Sequence, residues 1–204
     1  MKNDNKKFWE RVAKFYTPLQ EKTNATLYQK VANRIQPYLQ TSFNVLEIAC
    51  GTGQFTHLLA PYVHQWIATD FSEKMVSEAK KQALDHVQYE IADATQLHYH
   101  NHMFDVVFIA NALHIMPNPK QALNESKRVL KQDGYLIVPT FVYEGKINTK
   151  KLWVLSKLGF KTYYKWNFKQ YQSFIEEQGF LIVDAWIIKD KMLPEAIIIA
   201  KKQP

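Results

Sequence analysis

Strand-like and helical runs alternate through residues 44–142 of this 204-residue chain, and two further strand-like runs close it with no helix between them. "NVLEIA", "HQWIATD", "HVQYEIAD", "FDVVFIA" and "YLIVPTFV" read as five strands. The fourth is apolar nearly throughout, as a parallel strand buried on both faces must be. Helical runs separate them. Phe55, Leu58, Leu59 and Tyr62 share one helical face. Ser72 is placed to cap a second helix with Glu73 in its first turn. Asn118 caps "NPKQALNESKRVL", with Pro119 at the first helical position. Asp133-Gly134 reads as a turn. Such alternation implies a doubly wound, mostly parallel sheet. The end of the chain departs from it. Asn167 caps a helix carrying Phe168, Tyr171, Phe174 and Ile175, and Gly179 stops it. "FLIVDAWIIK" and "EAIIIAKK" then follow across a short turn containing Pro194, so they must pair antiparallel. The expectation is an α/β fold of seven strands, mostly parallel, closed by a C-terminal hairpin. Ahead of it, residues 6–16 (Phe8, Trp9, Val12, Phe15, Tyr16) and 24–36 (Leu27, Tyr28, Val31, Ile35) predict two helices. Residues 1–40 are thus expected as a lead-in or cap, and 41–204 as the main domain.

Composition narrows the class. The chain is 47% hydrophobic and 22% charged, which suits one sizeable core. No apolar run reaches the ~20 residues of a membrane-spanning helix. The start, "MKNDNKKFWE", lacks the apolar segment of a secretory signal. A single cysteine, Cys50, excludes an internal disulfide, and a reducing cytoplasm is the expected location. The net charge of +7 has a local origin: seven lysines and no acid fall within residues 146–169, while 19 basic and 19 acidic residues balance elsewhere.

In open α/β sheets ligands lie beyond the carboxyl ends of the strands, at the point where strand order reverses. "NVLEIACGTGQFT" is a strand running into a glycine turn there. Gly51 and Gly53 permit a sharp bend and close approach of a ligand. Ala49 takes a slot where many nucleotide loops carry glycine, and the spacing does not fit a dinucleotide fingerprint. Asp70 ends the second strand, where a carboxylate can accept both hydroxyls of a ribose; the plainer role is capping the next helix. Asp93 ends the third, where it can accept an adenine amine beside the Ala94 N–H; the plainer role is a turn. Together they describe an adenosine site.

"VLEIACGTGQFT", "IATDFSEKM", "YEIADATQL", "FDVVFIANALHIM" and "VLKQDGYLIV" resemble the successive motifs of class I S-adenosylmethionine-dependent methyltransferases. Order and spacing agree from residue 44 to 142. The lead-in "FWERVAKFYTPLQ" and the closing hairpin resemble the small-molecule branch that includes quinone-biosynthesis enzymes. The resemblance implies a Rossmann-like methyltransferase fold. It implies S-adenosylmethionine as cofactor, with S-adenosylhomocysteine as product. By it, Glu47, Gly51 and Gly53 surround the methionine portion, Asp70 holds the ribose, and Phe71 and Met75 pack on the adenine. Asp93 and Ala94 read the adenine edge, Asn111 supplies backbone contacts beside the sulfonium, and Tyr16 closes over the cofactor. Core packing is the competing role for Phe71, Met75 and Tyr16.

A sulfonium is already a good leaving group, so the protein must chiefly place a nucleophile in line and exclude water, worth ~7–11 kcal/mol. His114, in "NALHIM", is the candidate base, with buried packing as its competing role. "NALH" lacks the Pro-Pro-aromatic pattern of DNA amino-methyltransferases. "HYHNH" (His98, His100, His102) has alternate imidazoles but no completing ligand, and reads as a solvated loop with no metal. Residues 144–166 are expected to form a lid over a small-molecule acceptor. Their lysines and aromatics suit an anionic or lipid-like acceptor, or contact with an anionic membrane surface. A methyltransferase acting on RNA or protein is the alternative, although no RNA-binding module is recognisable.

Overall fold

The computed structural model describes residues 4–145, 161–189 and 193–203, with backbone alone for residues 4, 5 and 15–23. Strands β1 (Asn44–Ile48), β2 (Gln65–Asp70), β3 (Val87–Ile91), β4 (Phe104–Ile109) and β5 (Leu130–Ile137) lie parallel in the order β3-β2-β1-β4-β5. β8 (Glu195–Lys202) joins β5 antiparallel, and β7 (Phe180–Ile188) pairs along the far side of β8. The sheet counts eight strands because Pro139 divides the fifth run. Its remainder, β6 (Thr140–Phe141), pairs with the start of β8. Asp133-Gly134 lies where β4 advances from Phe104 to Val106 while β5 advances from Leu130 to Tyr135, so the expected turn is a bulge within β5.

Alternation along the parallel strands builds two cores. Leu46, Ile48, Val107, Ile109 and Leu136 face α4 (Pro119–Val129) and α5 (Phe168–Glu177), meeting Leu123, Val129, Tyr171 and Ile175. Val45, Trp66, Ala68, Val106 and Phe108 face the other layer. There they meet Phe55 and Leu59 of α2 (Gln54–Leu59), Val76 and Ala79 of α3 (Glu73–Ala79), and Leu27, Val31 and Ile35 of α1 (Asp4–Ile35). The expected boundary at residue 40 therefore crosses a shared core.

The lead-in differs from expectation. One helix, α1, runs from Asp4 to Ile35 where two were expected. A proline inside a helix forfeits one backbone bond, but Leu19, Gln20, Glu21 and Lys22 beyond Pro18 are good helix formers. The caps stand where the residue types placed them. Ser72 Oγ accepts the Met75 N–H, and Asn118 the Gln121 N–H. Asn167 and Gln170 exchange bonds in a capping box. Gly179 ends α5 with φ 79°. None of the described helices is long and apolar enough to cross a membrane.

Candidate active site

The strand order reverses at β1, with β2 on one side and β4 on the other. Beyond the carboxyl ends there lies a cleft of about 620 Å³. Its floor is the loop from β1 to α2. Ala49, Gly51 and Gly53 all hold left-handed backbone, with φ of 60°, 58° and 91°. The Gly53 N–H closes the turn on the Cys50 carbonyl at 3.0 Å, and the Cys50 N–H ties the loop to Thr69 of β2 at 2.9 Å. A Cβ built on Gly51 meets no atom within 4 Å, so this backbone fronts open space that a ligand can occupy. Gly53 is different. It does not line the cleft, and its Cβ would press on the His57 ring at 3.0 Å.

Three carboxylates converge on the cleft from neighbouring strands. Glu47 on β1 accepts the Thr56 hydroxyl at 2.5 Å and the Trp66 indole N–H at 2.7 Å. Burial raises it to about 7 against those donors, with the nearby Asp70 charge adding to the rise. Asp70, ending β2, accepts the Gly51 N–H at 3.0 Å through one oxygen and the Ser72 N–H at 2.8 Å through the other. Burial raises it to about 6 in spite of these bonds. Asp70 thus sets the glycine loop and the entry to α3, and with the Phe71 N–H also acting on it the carboxylate keeps acceptor capacity for a ligand. The tips of β2 and β3 are tied by the Ala92 N–H on the Asp70 carbonyl, 3.1 Å. Asp93 takes the Thr95 N–H and hydroxyl on Oδ1 at 2.8 and 2.7 Å, a turn role that leaves Oδ2 for the cleft.

Phe71, Met75, Ala94 and Asn111 line the same space. Met75 is fully buried, so it is both core and wall. Asn111, just past β4, has φ 52°. Its N–H donates to the Pro139 carbonyl at 2.9 Å and its Nδ2 to Glu195 Oε1 at 3.1 Å. Its Oδ1 is buried with no hydrogen-bond partner among the described residues.

His114 is not part of this group. It is 6% exposed and lies outside the lining. Its Nδ1 meets Thr140 Oγ1 at 2.8 Å, and burial lowers it to about 4. Its carbonyl accepts the N–H groups of Tyr163 and Tyr164, tying down the chain after residue 160. The Tyr16 side chain lies outside the described residues, as does most of the expected lid at 144–166. Of that segment Tyr163 lines the cleft, while Tyr164 and Trp166 stack 4.8 Å apart, with Trp166 continuing onto Phe174 at 4.6 Å. Among the histidines of "HYHNH", His98 meets Glu90 at 3.2 Å and His102 faces the Leu130 carbonyl at 3.3 Å.

The sequence reading missed Trp9 and Tyr28, which line the cleft from α1, and Ile115, Met116 and Pro117 beyond Asn111. Aromatic spacing on α1 marked Trp9 and Tyr28 as buried and did not distinguish core from cleft. The site fits an adenosine carrying a cationic amino-acid tail: carboxylate acceptors on three strand tips and an open glycine backbone.

Residues 46–138 match the family described as a methyltransferase domain. A demethylmenaquinone methyltransferase of Leptospira interrogans is 32% identical over 63% of this chain and 57% of its own length. One from Clavibacter sepedonicus is 34% identical over 48% of this chain and 40% of its own. The chain therefore spans about half the length of these curated relatives. A solved SAM-dependent methyltransferase of Thermotoga maritima has a TM-score of 0.76 at 19% identity, covering 97% of this chain and 99% of the other. The PH0226 protein of Pyrococcus horikoshii has a TM-score of 0.72 at 18% identity, covering 93% and 99%. These two likenesses establish a shared fold.

Proposed function

We propose that this chain transfers a methyl group from S-adenosylmethionine to a small-molecule acceptor, a reading supported by the match of residues 46–138 to the methyltransferase-domain family and by the doubly wound strand order. The observation that carries the reading is the convergence of Glu47, Asp70 and Asp93 on one cleft fronted by the open Gly51 backbone. When bound, the cofactor supplies an activated methyl: the acceptor's lone pair forms the new bond while the carbon–sulfur electron pair leaves with sulfur, giving S-adenosylhomocysteine.

The chain's own residues bind, orient and exclude water. Asp70 accepts the ribose hydroxyls while its backbone bonds hold Gly51 in place. Asp93 Oδ2 and the Ala94 N–H take the adenine edge, and Phe71 and Met75 form its apolar walls. Glu47 and Asp70 place negative charge beneath the cationic end, which disperses part of their own desolvation cost. Trp9 and Tyr163 at the rim, with Ile115 and Met116, favour a flat, largely apolar acceptor. The relatives named for demethylmenaquinone agree with such a body. Lysines at 161, 165 and 169 favour an acceptor that also carries negative charge or a lipid tail at a membrane surface. A cytoplasmic location belongs to the same proposal.

Calorimetric titration with S-adenosylhomocysteine tests it. Stoichiometric binding that Asp70→Ala weakens at least about tenfold is expected, the loss of one or two hydrogen bonds to a charged acceptor. No binding by the intact chain rejects the reading.

A further inference from the structure

Charge is layered across the mouth of the cleft. Inside, the described lining residues include three carboxylates, Glu47, Asp70 and Asp93, and no lysine, arginine or histidine. An acceptor carrying negative charge to that depth would meet like charges where water screens them poorly. Outside, the order is reversed. Residues 161–167 run extended, with Lys161, Tyr163 and Lys165 exposed while Tyr164 and Trp166 are half-buried. The Tyr163 and Tyr164 N–H groups both rest on the His114 carbonyl, at 3.0 and 3.1 Å, which fixes this run beside the cleft. Tyr163 lines the cleft. Lys165, two residues or ~7 Å further along an extended chain, lines a neighbouring groove of about 530 Å³.

That groove has an apolar wall, Trp166 and Phe174, and a polar side that begins with Lys165 and Lys169. Both lysines are exposed. Lys165 meets the Tyr143 ring at 5.8 Å, and neither lysine forms an ion pair among the described residues. Lys169 also breaks a local rule. It stands in the first turn of α5, where the helix dipole favours an acid. Glu144 accepts the Phe168 N–H at 3.1 Å and so serves the helix end, not the lysines. Glu177, the acid of this groove, lies eight residues along α5 from Lys169, ~12 Å away. The groove is therefore cationic at the end nearest the cleft.

We propose that the acceptor is a two-part molecule: an uncharged, flat apolar body that passes Tyr163 into the cleft, and an oxyanion, carboxylate or phosphate, that stays outside on Lys165 and Lys169. The inference rests on the methyltransferase reading and deepens it, by placing the acceptor's negative charge away from the atom that receives the methyl. An anion keeps most of its hydration in the open groove and loses it in the cleft. Lys165 and Lys169 are specificity residues in this scheme and take no part in bond making.

The test uses the full chain saturated with S-adenosylhomocysteine and one ring in three forms: 2-naphthylacetate, 2-naphthyl phosphate and the uncharged 2-naphthylacetamide. Calorimetric titration should find each anion bound about five- to tenfold more tightly than the amide, the worth of two exposed ion pairs. The advantage should shrink in about 0.5 M salt. Lys165→Gln and Lys169→Gln should each remove about two- to fivefold of it, and the double variant should abolish it while leaving S-adenosylhomocysteine affinity within about twofold. Lys80→Gln, the same charge change at the exposed far end of α3, should leave it intact. Tyr163→Ala should weaken all three probes alike. An amide bound as tightly as the anions, an advantage that survives the double variant or falls equally with Lys80→Gln, or binding of no probe overturns the proposal. So does retention on phosphatidylglycerol vesicles that the double variant abolishes, with no preference among the naphthyl probes, because the lysines then serve a membrane surface. Failure of the intact chain to bind S-adenosylhomocysteine removes the underlying reading instead, so the two failures are separable.

Discussion

Glu47→Gln is the most informative single change, because Glu47 is a carboxyl buried in the core. Its ordinary value is 4.5 and burial holds it at about 7. The folded state therefore keeps a proton that the unfolded chain releases between those values. An acid with a raised folded-state pKa costs nothing below pH 4.5, progressively more as pH climbs to about 7, and its full penalty above that. The full penalty is roughly 3 kcal/mol. Glutamine has the same shape, its carbonyl can still accept from Thr56 and Trp66, and it never ionises. Asp70, raised to about 6, titrates in both proteins and largely cancels from the comparison. Urea unfolding of both forms at several pH values reads the difference. Near pH 4.5 the two should be of similar stability, and by about pH 8 the variant should be favoured by roughly 3 kcal/mol. The same variant should bind S-adenosylmethionine less tightly and lose preference for it over the uncharged-sulfur product. Parallel stability curves across the window would refute the reasoning, since they would mean that Glu47 titrates normally in the folded chain.

Other perturbations probe separate parts of the argument. His114→Gln should flatten the loss of stability below pH 6.5, because a histidine held neutral down to about 4 resists protonation only while the protein is folded; acid titration by circular dichroism reads this, and an unchanged acid limb counts against it. Asp70→Ala strips the acceptor from the Gly51 and Ser72 N–H groups and should cost roughly 1–3 kcal/mol in urea midpoint measurements, besides weakening nucleoside binding. Ala49→Val should destabilise by more than about 1 kcal/mol, since a β-branched side chain at φ 60° is strained, while Ala49→Gly should be tolerated; equal stability of all three would contradict the left-handed assignment. Asn167→Ala removes the capping box of α5 and should lower stability by about 1 kcal/mol without changing nucleoside affinity.

Much of this protein is legible in order along the chain, because the information is local. Period-two and period-3.6 patterns placed the strands and most helices. Ser72, Asn118 and Asn167 marked helix starts because their short side chains satisfy nearby N–H groups within three residues. Glu47, Asp70 and Asp93 stood out because a charged residue at the end of a buried strand needs a reason. Two strands without an intervening helix can pair only one way, so the hairpin was implied as well. What lay beyond sequence was whatever depends on direction in space. Whether Trp9 on α1 packs into the core or faces a cleft depends on a helix that crosses the sheet edge, and a helical wheel does not say where that edge is. His114 sits in a segment where a base is wanted, yet the turn after β4 rotates its ring to Thr140. Glu195, 84 residues from Asn111, reaches it only because β8 inserts beside β5 and brings its first residue to the tip of β4. Short-range chemistry named the strand-tip acids; only the folded sheet, by converting separation along the chain into contact across strands, decided which side chains share the cleft with them.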